Sequence, residues 1–237
     1  MKLHATTLFA LCAPSVCLAV VSLSWDFLAI PTTGLLDITF PFNVANAPHQ
    51  TGFYFAQQFK FIKVAEVGTI GLKPQEDVNG TSVIRGVFSS SQNGTTTNHP
   101  NCSPGADGGA GVSCEFTFPA TYSNTFNMVV ENINGTTWRG TAVDSETSNT
   151  TEIGEWTLPS ESGGILGSQT GFIEYYAHNC TVPPFTEVTF FNPTSDTPGA
   201  MGGSIETVAE RPYGCEKQAN FTDRGVPDGH DISIGVL

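Results

Sequence analysis

Apolar and polar residues alternate with period two through much of this chain. In the run from Phe53 to Ile62, Phe53, Phe55, Gln57, Phe59 and Phe61 fall on one side and Tyr54, Gln58 and Lys60 on the other. Successive side chains of an extended backbone point to opposite faces, so this pattern predicts a strand with one buried face. The same reading predicts strands over 82–89, 113–118, 125–132, 137–144, 152–158, 171–178 and 187–191. The pairs Asn79-Gly80, Asn93-Gly94 and Asn134-Gly135 suit tight turns that need positive φ, and the last lies between two alternating runs, which predicts a hairpin over 125–144. Helical spacing is hard to find after the first two dozen residues. Short strands separated by turn residues predict an all-β chain, a two-layer antiparallel β-sandwich of the jelly-roll, concanavalin A-like kind. No linker or internal repeat divides it, so residues 20–237 read as one domain, with a less regular segment from about 199 that wraps the sandwich and is tied back by Cys215.

The amino terminus departs from this pattern. A weakly basic start, an apolar run over 8–23 and Cys17-Leu18-Ala19 with a small residue at the last position match a secretory signal peptide over 1–19, leaving about 218 residues. An exported chain is expected to be oxidised and extracellular. Of six cysteines, Cys12 and Cys17 leave with the signal, and Cys102, Cys114, Cys180 and Cys215 remain for two disulfides. Three pairings are possible. Cys102 with Cys114 and Cys180 with Cys215 is favoured, because the first pair brackets a Gly-rich loop that otherwise has nothing to order it. Asn79, Asn93, Asn101, Asn134, Asn149, Asn179 and Asn220 satisfy the N-x-Ser/Thr rule for glycosylation.

Composition narrows the partners. Charged residues are 13% of the chain, against roughly 25% in an average soluble domain, and the formal net charge is −13. Such acidity argues against nucleic acid and anionic membranes. No G-x-S-x-G, H-E-x-x-H, P-loop or G-x-G-x-x-G signature is present, and no cofactor or metal is expected.

The chemistry then rests on four groups of side chains. Phe172, Glu174, Tyr176 and His178 share one face of a strand, and aromatic rings beside a carboxylate and an imidazole are what a sugar site uses. The competing reading is a solvent-facing half-strand over a buried Ile173 and Tyr175. The loop 99–114 carries His99 and Asp107 among glycines and could be a ligand or calcium loop. One carboxylate is too few for a cation that takes about six or more oxygens, which favours a compact stapled loop. Glu115, Glu131, Glu155 and Glu174 lie in predicted strands and form the pool for a glycosidase acid and base, which stand about 5 to 10 Å apart. The tail 223–231, with three aspartates and His230, reads as a turn before it reads as a metal site. Trp25, Trp138 and Trp156 are expected in the core.

The stretches 52–58, 105–114, 135–141, 153–159 and 171–176 resemble secreted β-rich proteins of uncharacterised function from fungi and actinobacteria. That resemblance covers roughly residues 50 to 180, implies an extracellular sandwich of lectin or glucanase type, and supplies no catalytic residues. The expected function is a secreted, monomeric glycoprotein that binds an extracellular polysaccharide or glycan through Glu174, Tyr176 and His178, bordered by His99 and Asp107. The alternatives are a polysaccharide hydrolase or lyase with two of the four glutamates as acid and base, and a structural or host-interaction protein without a small-molecule site.

Overall fold

The computed structural model describes residues 19–106, 108–176, 183–210 and 220–235. Among the described residues fifteen strands follow in chain order: β1 (Ala19–Ala29), β2 (Asp37–Asn43), β3 (Phe53–Lys60), β4 (Val67–Pro74), β5 (Val83–Ser90), β6 (Cys102–Pro104), β7 (Val112–Pro119) and β8 (Thr125–Asn134). They continue with β9 (Thr137–Asp144), β10 (Thr150–Thr157), β11 (Ser168–Tyr175), β12 (Thr186–Phe191), β13 (Met201–Glu210), β14 (Phe221–Val226) and β15 (Gly229–Ile234). Eight form one sheet in the order β13-β1-β11-β3-β4-β5-β7-β6, and seven form the other in the order β10-β9-β8-β2-β12-β15-β14. Two antiparallel sheets face each other, so the chain is the β-sandwich that its alternation predicts.

The core lies between the sheets. Phe53, Phe55, Gln57, Phe59 and Phe61 are all at most 1% exposed, as their common face requires. Trp25, Trp138 and Trp156 are each 1% exposed, and burying one such ring removes on the order of 200 Å² from water, a gross gain of roughly 5 kcal/mol. Phe61 packs on Trp138 at 4.7 Å, and Phe88 stacks on Trp156 at 4.5 Å and 15°. Glycine makes the fit between layers possible: a Cβ on Gly140 would stand 2.3 Å from Phe88 Cγ.

The favoured disulfide Cys102–Cys114 is formed across the β6–β7 pair, in which the two residues are direct partners. Cys114 is fully buried and faces Gly154 of the opposite sheet. Cys180, Cys215 and Asn179 lie outside the described residues.

The hairpin over 125–144 is formed by β8 and β9 around Asn134-Gly135. The tail from about 199 is more regular than expected: β13 flanks β1 in one sheet, and β15 joins β12 and β14 in the other. Its alternation is weak because both β13 and β14 are edge strands, and β14 keeps its four central residues exposed. β1, which the apolar run at the amino terminus obscures, alternates buried Val21, Leu23 and Trp25 with Ser22, Ser24 and Asp26.

Candidate functional site

The outer face of the eight-stranded sheet is built by the residues that the core leaves over. Ile173 and Tyr175 of β11 point into the core, so Phe172, Glu174 and Tyr176 point outward. Register sets their neighbours: Phe172 pairs with Ala56 and Glu174 with Tyr54, and Lys73 and Arg85 are partners across β4 and β5. Tyr54, Ala56 and Val87 form a second apolar cluster, separate from the core, against which Phe172 and Tyr176 pack. The Tyr54 and Phe172 rings meet edge to face at 5.4 Å.

Charged groups close one side of this patch. Lys73 Nζ stands 4.7 Å from the Tyr54 ring centre and 5.8 Å from that of Tyr176, within reach of a cation–π attraction of about 0.5 to 1 kcal/mol. Glu115 on β7 accepts from Lys73 at 3.1 Å and from Arg85 at 3.2 Å. Glu174 Oε1 is buried and has no hydrogen-bond partner among the described residues. The expected pair Glu174 and Tyr176 is therefore joined by Tyr54, Phe172 and Lys73, with Arg85 and Glu115 beyond Lys73. Tyr54 was legible from the alternation of β3, whereas Lys73 and Arg85 are brought in by pairing alone.

The four glutamates divide between the two outer faces. Glu115 and Glu174 share the eight-stranded face, but their strands are four spacings apart, about 19 Å at roughly 4.8 Å per strand. Glu131 and Glu155 lie on the seven-stranded face, on either side of Arg139. The guanidinium stands 3.1 Å from Glu155, 3.5 Å from Glu152 and 3.9 Å from Glu131, so it fills the space that a scissile bond would need.

His99 does not border Glu174. The segment before β6 follows the edge of β10, where His99 Nδ1 accepts from the Asn101 N–H and Nε2 meets Glu152 at 2.8 Å. β6 and β11 are five strand spacings apart, about 24 Å, which is why the loop and the aromatic patch do not meet. Asp107 and His178 lie outside the described residues. A cavity of about 270 Å³ opens beside His99, lined also by Thr137, Glu155 and Trp156. Another, of about 670 Å³, lies between Phe27, Pro41, Phe191, Pro193 and Met201 and reaches Asp228 of the tail but none of the four glutamates, Tyr176 or His99.

The tail 223–231 is a hairpin. His230 Nδ1 meets Asp223 at 2.8 Å, Arg224 pairs with Asp231, and Asp228 takes the positive φ of the turn. Among the described residues no three His, Cys, Asp or Glu side chains are grouped to hold a metal ion.

No family model matches the chain, and no curated protein does, so the resemblance to secreted fungal and actinobacterial proteins has no support from sequence comparison. Solved structures do align. Scytalido-glutamic peptidase with a transition state analog inhibitor aligns over 94% of this chain and 100% of its own, at 11% identity and a TM-score of 0.49. SCP-B, a member of the eqolisin family of peptidases in complex with the tripeptide Ala-Ile-His, has the same coverage and identity at a TM-score of 0.43. The CBM2 module of Lactobacillus casei BL23 phage J-1 evolved Dit aligns over 91% of this chain and 70% of its own, at 12% identity and a TM-score of 0.32. At these values a functional reading has to come from the chain's own residues.

Proposed function

We propose that this is an extracellular glycan-binding protein and that its ligand lies across the outer face of the eight-stranded sheet. The observation that carries the reading is the placement of Phe172 and Tyr176, half-buried on the side of the sheet away from the core, over the buried Tyr54 and beside Glu174 and the ammonium of Lys73. Aromatic rings cover the apolar faces of a pyranose, and a carboxylate and an ammonium hold its hydroxyls as acceptor and donor. The hydrolase alternative has less support: Arg139 stands between Glu131 and Glu155, and the strands of Glu115 and Glu174 are about 19 Å apart.

The test is a glycan array probed with the wild-type chain and with Glu174→Gln and Tyr176→Ala, alongside a polysaccharide digestion panel. The expected result is retention of at least one glycan class by the wild type and a loss of tenfold or more in affinity for each variant. No glycan retained across the array would defeat the reading. Sugar released from the panel would replace it with the hydrolase.

A further inference from the structure

The glycosylation rule is met at seven asparagines, and the fold separates those it describes into two kinds. Asn79, Asn93, Asn134, Asn149 and Asn220 are exposed. Each lies at a strand connection: Asn79 between β4 and β5, Asn93 after β5, Asn134 in the β8–β9 hairpin, Asn149 between β9 and β10, and Asn220 just before β14. Register places Asn79, Asn149 and Asn220 at one end of the sandwich and Asn93 and Asn134 at the other. The glycines that follow Asn79 and Asn134 face open space, with no atom within 4 Å of where a Cβ would be.

Asn101 is different. It is half-buried, and Nδ2 donates to the backbone carbonyls of Ile153 at 3.2 Å and Glu152 at 3.4 Å. An amide nitrogen has two hydrogens, and both are used here. Linking a sugar to Nδ2 replaces one of them and puts a ring into the contact between this segment and β10, immediately before the disulfide at Cys102. A chain carrying a glycan at Asn101 could not close both bonds.

We propose that the protein carries N-linked glycans at Asn79, Asn93, Asn134, Asn149 and Asn220, which cap the two ends of the sandwich, and that Asn101 is unmodified. The inference stands on the sequons and their surroundings and does not depend on what the outer face binds.

The experiment is secretion of the full chain from a eukaryotic host, enzymatic release of N-glycans in ¹⁸O-water and peptide mass mapping. Release converts each occupied asparagine into labelled aspartate. Label at four or more of the five exposed positions, with Asn101 unlabelled, is the expected result. Label at Asn101, label at three or fewer of the five, or a chain that leaves the host with its bare polypeptide mass overturns the proposal. Asn101→Gln in the same host adds a second reading: it leaves the glycan mass unchanged if the assignment is right and lowers it if Asn101 was occupied.

Discussion

Gly154 and the Cys102–Cys114 disulfide form a contact between the layers that can be taken apart quantitatively. A Cβ built on Gly154 would stand 2.5 Å from Cys114 Cβ and 2.6 Å from both Cys102 Sγ and Cys114 Sγ. Gly154 has no positive φ, so alanine suits its backbone, and elsewhere in a strand it would be worth about 0.5 to 1 kcal/mol over glycine. Here the methyl group meets a bridge that cannot rotate away. Overpacking of this kind costs about 1 to 3 kcal/mol, which reverses the sign. The bridge itself joins residues 12 apart and contributes roughly 3 kcal/mol by loop closure, or about 6 to 12 °C in Tm for a domain of this size. Removing it with Cys102→Ala and Cys114→Ala eliminates both sulfur contacts and lets β7 yield to the new methyl group. Urea unfolding of the wild type, Gly154→Ala, the double alanine variant and the triple variant, followed by the fluorescence of the three buried tryptophans, closes the cycle. The expected coupling is about 1 kcal/mol or more, with Gly154→Ala less costly when the bridge is gone. Additivity within about 0.5 kcal/mol would refute the packing argument.

Two further predictions concern polar groups. Gln57 is fully buried among the core phenylalanines, with neither amide atom hydrogen-bonded among the described residues, so Gln57→Leu is expected to raise stability by about 1 to 3 kcal/mol; a lower Tm would show that the amide is satisfied. Burial pushes the Asp144 carboxyl up, but hydrogen bonds from Asn124 Nδ2 and from the backbone N–H of Glu146 and Thr147 outweigh this and hold it below the ordinary carboxylate value. Its contribution is therefore present above the unfolded carboxyl pKa of about 3.9 and lost as pH falls through the lower folded value. Urea midpoints of wild type and Asp144→Ala should differ at pH 6 and converge toward pH 2; a constant gap would contradict the assignment.

Much of the strand pattern was readable because its causes are local. The phenylalanines of β3 alternate with polar neighbours, and Asn134-Gly135 makes its own turn whatever surrounds it. β4 is not legible in the sequence, for an equally physical reason. Gly68 and Gly71 break its apolar alternation, and they are needed where Phe59 and the backbone at Phe55 press against the strand. The edge strands β13 and β14 carry no clear pattern, because a strand with little to bury has little reason to alternate.

The site divides in the same way. Periodicity determined that Phe172, Glu174 and Tyr176 share a face, and spacing that Cys102 and Cys114 could staple one loop, since each depends only on the two-residue repeat or on short separations along the chain. Tertiary structure decided the rest. β11 pairs with β1 and β3 across long stretches of sequence, which puts Glu174 beside Tyr54, and β7 lies on the far side of β5, which gives Glu115 to Lys73 and Arg85. His99 went to Glu152 for the same reason. Which side chains meet across a sheet is set by strand order, and strand order is chosen by burial over the whole chain.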